Sequence, residues 1–146
     1  MIFFSHTAGL SNNNTGGGII DIKADTVKVV TDNLYAVRGD HGDITLTAKN
    51  NIVSGGTSGV HSGKGDIQVI ASENNIISID DTNEAYRGNY DGYDDGAIYA
   101  YQSGDIVITS GNNNIVNSYK TGIHNKGIGK ITLTSGDLNN GISTFK

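Results

Sequence analysis

The stretch at residues 80–96, DDTNEAYRGNYDGYDDG, concentrates side chains that could bind a ligand. Tyrosine offers a flat apolar face with a hydroxyl tip, which suits stacking on a sugar ring. Carboxylates accept hydrogen bonds from sugar hydroxyls, and loops on rigid scaffolds often hold binding sites. The alternative is that this stretch is an acidic, solvent-exposed loop that binds no ligand. The candidate binding residues of this stretch are Tyr86, Tyr90, Asp91, Tyr93, Asp94 and Asp95.

Part of the same stretch is spaced like a calcium-binding loop. Asp91, Asp95 and Gly96 fall at positions typical of EF-hand loops, but Tyr93 stands where a second oxygen ligand is needed and Gln102 where a bidentate glutamate is needed. The pattern leaves cation binding by this loop open. We assign no metal ligand and expect no cofactor.

A second candidate set is a row of rings. Tyr35, His61, Tyr99 and His124 each directly follow an apolar residue in four similar segments, and Tyr101 lies beside them. If these segments stack as strands, the rings face outward about 4.8 Å apart. Such a row can stabilise a sheet by ring stacking, or it can form a contact strip for a carbohydrate or a protein.

Catalytic chemistry has little support in the sequence. No serine, histidine and aspartate are arranged around a nucleophile-elbow motif, and paired carboxylates occur mainly at residues 80–96. We predict no catalytic residues and a protein that is not an enzyme.

The elements that position these residues come from a repeat. The phrases GDITLTAKNNIVS, GDIQVIASENNIIS and GDIVITSGNNNIVNS begin at Gly42, Gly65 and Gly104, and weaker copies begin at Gly18 and Gly129. Successive copies start 23 to 25 residues apart except for one interval of 39, which contains residues 80–96 as an insertion. A repeat this short cannot bury its apolar residues alone, so neighbouring copies must stack.

Apolar residues mark three short strands in each copy. The first run alternates, as at Ile44 and Leu46, which indicates a strand with one buried face. No window has sustained helical periodicity. We predict an all-β fold, a right-handed parallel β-helix (β-solenoid) of about five coils, with the handedness that parallel crossovers prefer. The second run is led by Ile52, Ile76 and Ile115, and the third by Leu34, Val60, Ile98 and Ile123.

Asparagines recur at equivalent places in the copies. Asn51, Asn75 and Asn114, with Asn139 or Asn140 after them, are expected to stack as an asparagine ladder with a structural role. Their amides can hydrogen-bond along the axis, and asparagine in a turn tolerates left-handed φ.

Aspartates recur as well. Asp43, Asp66 and Asp105 fall in register, where like charges repel unless the carboxylates accept hydrogen bonds from backbone amides or share a cation. Capping of the backbone is the expected role.

Composition limits the partners. The chain has 146 residues, a net charge of −5 and a pI near 5.1, so it lacks the basic surface needed for nucleic acid. No stretch approaches the roughly 20 apolar residues of a membrane span, so we expect no membrane insertion by this segment. Cysteine is absent, which excludes disulfides and thiolate metal sites.

Residues 1–17 are expected to form a partial earlier coil or a cap, and residues 18–146 the β-helix. Leu10 precedes Gly18 by the same interval as Leu34 precedes Gly42, which suggests equivalent positions. Uncovered strand edges at either end would invite end-to-end self-association.

Cysteine-free and proline-free repeats of the form GDITLTA followed by NNI, rich in Gly, Asn and Thr, resemble the β-helical shafts of exported bacterial adhesins. The resemblance is to filamentous-haemagglutinin-like and autotransporter proteins, covers residues 18–146 and identifies no ligand site. It implies a non-enzymatic rod, extracellular or on the bacterial surface within a longer exported chain, that presents its acidic loop to a host glycan or protein receptor. A second resemblance, to β-helical polysaccharide lyases and hydrolases, implies the alternative of a carbohydrate-active enzyme fragment.

Overall fold

The structure, a computed structural model, describes residues 1–5, 9–32, 34–79, 96–118, 121–136 and 140–144. The regular structure in these residues is entirely β, and they contain no helix that could cross a membrane. The strands are β1 (Ile2–Ser5), β2 (Leu10–Asn12), β3 (Ile20–Thr31), β4 (Tyr35–Gly39), β5 (Ile44–Gly55), β6 (Ser58–Lys64), β7 (Ile67–Ile79), β8 (Gly96–Ser103), β9 (Ile106–Ser110), β10 (Asn113–Ser118), β11 (Thr121–Asn125), β12 (Ile131–Ser135) and β13 (Asn140–Thr144).

These strands form two parallel sheets. The larger sheet runs β1-β3-β5-β7-β10-β13, with β9 joining β7 to β12, and the smaller sheet runs β11-β8-β6-β4-β2. Each turn of chain contributes to both sheets, which makes a β-solenoid of about 4 turns and confirms the predicted fold class. The expected number of coils, about five, was too high because β1 with β2 and β12 with β13 each supply only part of a turn.

The predicted column of isoleucines is confirmed. Ile20, Ile44, Ile67, Ile106 and Ile131 are register partners from one strand to the next. The three central members of this column are fully buried. Burial of one such side chain contributes about 1.5 to 3 kcal/mol. The coils therefore stack directly over one another, as the spacing of the repeats requires.

The prediction of three short strands per coil was wrong for most coils. The first and second runs are one continuous strand in β3, β5 and β7, and they are separate strands in the last two coils, as β9 with β10 and β12 with β13. At the corner between the two runs, the alternation of inward and outward side chains shifts by one residue. Ala48 and Asn51 both face inward although they are three residues apart. A bend within the strand, with one extra residue in β7 opposite β5, replaces the expected turn.

The same parity change reverses the expected orientation of the second run. Ile115 is 37% exposed, and Ile52 and Ile76 are only half-buried, so these residues do not lead into the core. The asparagine before each isoleucine takes the inward position. The core positions of this run belong to the next residues along, the fully buried Val53, Ile77 and Val116.

Glycine is required where the coils begin. Gly65 and Gly104 have φ of 121° and 125°, which side chains rarely adopt. A Cβ added at Gly104 would lie 2.1 Å from the carbonyl oxygen of Gly65, and one at Gly129 would lie 2.1 Å from that of Gly104. The glycine that marks each copy is therefore the residue that lets consecutive coils approach.

The N-terminal strands continue both sheets. β1 pairs in parallel with residues 28–31 of β3, and β2 pairs with β4. Leu10 is the register partner of Val37, and Val37 is in turn the partner of Val60. The third-run core residue of this coil is thus Val37, and the expected equivalence of Leu10 with Leu34 was wrong. The prediction assumed that the core residue of the third run lies at a constant distance before the next glycine. It failed because the connection from Leu10 to Gly18 is longer than the connection from Val37 to Gly42.

Candidate functional site

Inside the solenoid, the asparagines at the corner form a chain of hydrogen bonds. Asn51 Nδ2 donates to Asn75 Oδ1 at 2.9 Å, and Asn75 Nδ2 donates to Asn114 Oδ1 at 2.8 Å. All three residues are fully buried. Asn75 and Asn114 also donate to main-chain carbonyls of the following coil, those of Thr109 and Thr134, each at 2.8 Å. These amides cross-link neighbouring coils within the core.

The backbone at these asparagines differs from the expectation. No described residue other than glycine has a positive φ, because the asparagines lie within strands rather than in turns. Asn140 is the register partner of Asn114, whereas Asn139 lies outside the described residues.

A second row of amides was missed at the sequence level. Asn74 Nδ2 donates to Asn50 Oδ1 at 3.0 Å, and Asn113 Nδ2 donates to Asn74 Oδ1 at 3.0 Å. These side chains are half-buried on the outside of the same corner. The doubled asparagine in the copies that begin at Gly42, Gly65 and Gly104 was the available signal, because adjacent residues of a strand face opposite sides.

The stacked aspartates hold the starts of the coils together. Asp43 Oδ1 accepts a hydrogen bond from the main-chain amide of Asp66 at 2.9 Å, and Asp66 Oδ1 accepts one from Asp105 at 2.8 Å. Asp105 Oδ1 accepts from the amide of Lys130 at 2.8 Å. Each carboxylate thus bonds the backbone of the next coil. No group of three potential metal-binding side chains occurs among the described residues.

On the outside of the smaller sheet, the rings form a row. His61 is the register partner of Tyr99, and Tyr99 of His124. The ring centroids of His61 and Tyr99 are 5.3 Å apart, and those of Tyr99 and His124 are 5.2 Å apart. These distances are those of ring pairs in contact. We call Tyr35, His61, Tyr99 and His124 the ring row.

Tyr35 joins the ring row by a different route from the one expected. Its register partner is Ser58, and the residue aligned with His61 is Arg38. Tyr35 nevertheless places its ring centroid 4.5 Å from that of His61. The expected position was wrong by three residues, for the same reason that Val37 rather than Leu34 fills the core.

The exposure of the ring row is uneven. Tyr99 is fully buried and His61 is 7% exposed, whereas Tyr35 and His124 are half-buried. The two central rings are therefore poor candidates for direct stacking on a large partner. Tyr101, which is 39% exposed, packs its edge against Tyr99 with centroids 6.1 Å apart. Tyr101 is the accessible aromatic surface next to the row.

His61 is electrically neutral at pH 7. Its pKa is lowered to about 4, mainly by burial and also by the charge of Arg38, whereas the charge of Asp40 partly opposes the shift. Neither ring nitrogen has a hydrogen-bond partner in the described part of the chain. Buried polar atoms are rarely left in this state.

Arg38 and Asp40 form an ion pair beside the row. Arg38 Nε donates to Asp40 Oδ1 at 2.7 Å, and the side chains are 34% and 26% exposed. The guanidinium carbon of Arg38 also lies 5.1 Å from the centroid of the Tyr35 ring. The pair and the ring hold each other in place on β4 and the residue that follows it.

A cavity of about 380 Å³ opens between these groups. It extends over β4, β6 and β8, and it combines apolar ring surface with donors and acceptors. Its lining consists of Leu34, Tyr35, Arg38, Asp40, His41, Thr57, His61, Gly63, Tyr101 and Gln102.

A β-bulge shapes one wall of this cavity. Ser62 pairs with Ala100 and Lys64 pairs with Ser103, so two residues of β8 face the single residue between them in β6. Those two residues, Tyr101 and Gln102, both line the cavity, whereas in a regular strand they would face opposite sides. Sequence reasoning placed Tyr101 beside the row but had no signal for the bulge.

The candidate residues of the insertion are outside the described residues. The insertion leaves the larger sheet after β7 and enters the smaller sheet at β8. The residues concerned are Tyr86, Tyr90, Asp91, Tyr93, Asp94 and Asp95.

Asp40 is the one carboxylate among the described lining residues, and it is paired with Arg38. Glycoside hydrolysis generally uses two carboxyl groups.

In comparisons with protein-family models, curated proteins and solved structures, nothing matches this chain.

Proposed function

We propose that this chain is a non-enzymatic segment of a bacterial surface or secreted adhesin, a rigid β-solenoid rod that presents a binding face to a host glycan or protein receptor. The observation that carries the proposal is the ring row beside a 380 Å³ cavity on the outside of the smaller sheet. The segment would work outside the cell, as part of a longer exported chain.

The hydrogen bonds between successive coils support the role of a rigid rod. Inner amides, outer amides and aspartates each link one coil to the next, in addition to the parallel strand pairing. Loss of any one coil therefore disturbs its neighbours, and the solenoid resists bending between coils. A stiff shaft holds a binding face at a fixed distance and orientation.

The position of the ring row supports contact with a partner. The apolar core is filled by residues such as Val60 and Ile98 on the inward side of the smaller sheet, so the rings on its other side are not needed to close the core. The tyrosine-rich insertion enters the sheet at β8, the strand that holds Tyr99 and Tyr101. We infer that the insertion and the cavity serve one binding surface.

The test is binding of the purified chain to a glycan array and to host cells, compared with a variant that lacks residues 82–95. We expect saturable binding by the intact chain and a clear reduction in the deletion variant. Asn74→Ala, on the outside of the other sheet, is the control and should bind as the intact chain does. Identical profiles for intact and deleted chains would remove the insertion from the proposal.

The same preparation should be assayed for release of reducing sugar from acidic polysaccharides. The proposal predicts no release. Release that scales with protein concentration would favour the alternative, a carbohydrate-active β-helical enzyme.

A further inference from the structure

The cavity is assembled from three successive coils. β4 and the residue that follows it supply Arg38 and Asp40, β6 supplies His61 and Gly63, and β8 supplies Tyr101 with its neighbour. Two coil steps separate the first wall from the last, a distance of about 9.6 Å. Gly63 contributes no side chain between them, which keeps the space open. The cavity volume of about 380 Å³ leaves room for one ring-shaped molecule.

Tyr101 is the lining residue whose side chain can stack on such a ring. It is 39% exposed, and its contact with Tyr99 is made edge to face, with an interplanar angle of 61°. Lys126 Nζ lies 5.0 Å from its ring centroid. Lysine is flexible and exposed here, so it can move along the ring when a ligand arrives.

The opposite wall presents fixed polar groups. The ion pair places the donors of Arg38 beside the acceptors of Asp40, and both side chains remain partly exposed. The opposite charges of Arg38 and Asp40 cancel, so this wall does not demand a charged ligand. Gln102, next to Tyr101 on β8, adds to the cavity an amide that both donates and accepts.

His61 narrows the class of ligand. Its ring lines the cavity, and its nitrogens have no partner within the described residues. A neutral imidazole has one donor and one acceptor, which matches a hydroxyl group better than a carboxylate or an ammonium group. The volume of about 380 Å³ is near the lower end of the range for small-molecule sites, roughly 300 to 1,000 Å³.

We propose that this cavity binds one uncharged pyranose unit of a glycan, with the apolar face of the sugar on Tyr101 and its hydroxyls bonded to Asp40, Arg38 and Gln102. The inference rests on the proposed function and deepens it, since it names the ligand class and the residues that hold it. Apolar C–H faces and ring hydroxyls occur together in sugars, and the cavity offers a partner for each.

The test is an NMR titration of the full chain with methyl glycosides of glucose, galactose, mannose and N-acetylglucosamine, with methyl glucuronide as the charged comparison. We expect saturable shifts of the Tyr101 and His61 ring signals with at least one neutral glycoside. Tyr101→Ala should weaken that binding roughly fivefold or more, and Tyr101→Phe should stay within about twofold of the original chain. Phe3→Ala, a residue 37% exposed on the larger sheet, is the matched control and should change nothing.

Three results would overturn the inference: no saturable shift with any neutral glycoside, binding of the glucuronide alone, or unchanged affinity in Tyr101→Ala. If Tyr101→Ala does not fold, Gln102→Ala takes its place with the same expectation. Array or cell binding that persists while the glycoside titrations fail would reject this cavity and leave the rod proposal standing. Failure of the intact chain in both assays would reject both.

Discussion

Two columns of stacked side chains run along the solenoid, one inside and one outside. The inner column repeats a single residue type at Asn51, Asn75 and Asn114, all fully buried. Its amides bond to each other and to main-chain carbonyls of the next coil. It ends at Asn51, where Oδ1 has no partner within the described residues because Val27 occupies the preceding position.

The outer column, the ring row, mixes tyrosine with histidine and grades from full burial at Tyr99 to half burial at Tyr35 and His124. Within the described residues, neither ring nitrogen of His61 has a hydrogen-bond partner. The inner column is uniform, fully buried and bonded from coil to coil, so it serves the fold. The outer column has hydrogen-bonding capacity at His61 and exposed ring surface beside it at Tyr101, which are the properties a binding face needs.

The largest expected effect comes from breaking the inner column. Asn75→Leu removes a donor and an acceptor in the middle of the ladder, so Asn114 Oδ1 and the main-chain carbonyl of Thr109 each lose the hydrogen bond from Asn75. The lost buried hydrogen bonds and the misfitting leucine should together lower the free energy of unfolding by about 3 to 5 kcal/mol. Chemical denaturation followed by circular dichroism measures this.

Asn74→Ala is the matched control for that substitution. Asn74 is the preceding residue of the same strand, and it belongs to the half-buried outer amide row. We expect a loss of about 1 kcal/mol or less. Equal losses in the two variants would contradict the assignment of the inner column as the structural one.

A smaller effect should appear in the outer column as pH falls. The folded pKa of His61, about 4, lies below its usual value of 6.5, so only the unfolded chain takes up this proton between those values. The contribution of His61 to the free energy of unfolding is therefore fully present above about pH 6.5. It falls as the pH approaches 4, by on the order of 3 kcal/mol in total.

Carboxylates also respond to acid, so the informative quantity is a difference between variants. His61→Phe keeps a flat ring between Tyr35 and Tyr99 but cannot titrate. The loss of stability between pH 7 and pH 4 should be smaller in this variant than in the original chain. Parallel pH profiles for both proteins would show that His61 is not buried as described.

The smallest effect on stability is expected at Tyr101, although its effect on binding is the largest we propose. Tyr101→Ala removes an edge contact and an exposed cation–π contact, so the unfolding free energy should fall by less than about 1 kcal/mol. Tyr99→Ala, which empties a fully buried site, should cost about 3 kcal/mol or more. Similar costs at the two positions, measured by thermal unfolding, would remove the contrast between scaffold and binding face.

The stacking of the coils was predictable because the glycines, isoleucines and asparagines recur at nearly constant spacing. Gly65 and Gly104 need their special backbone wherever coils approach, and the isoleucine columns follow from alternation. The spacing of the repeats could not predict that the alternation of inward and outward side chains shifts by one residue at the corner. This shift depends on how a continuous strand bends between Ala48 and Asn51, which turns Ile52 outward.

The candidate site was predictable only in part. The ring row was visible as a repeated pattern, and His61, Tyr99 and His124 are in register. The misplacement of Tyr35 came from counting across a connection of different length. The cavity depends on a bulge and on an ion pair between Arg38 and Asp40. The bulge arises from the pairing of β6 with β8, which no local pattern in the sequence encodes, whereas the ion pair joins residues only two apart and was overlooked.

Both columns require that consecutive coils lie in register, and the absence of cysteine allows a direct test of that arrangement. Thr45 and Gln68 are register partners on the outside of the larger sheet, and Val107 lies one coil further on. The measurement is the fluorescence of dibromobimane, which signals when the reagent bridges two neighbouring thiols, on the folded double variants. Stacking of the coils in register predicts bridging in Thr45→Cys/Gln68→Cys, about 4.8 Å apart, and little in Thr45→Cys/Val107→Cys, about 9.6 Å apart. Equal bridging in the two variants, or none in the first, would contradict it.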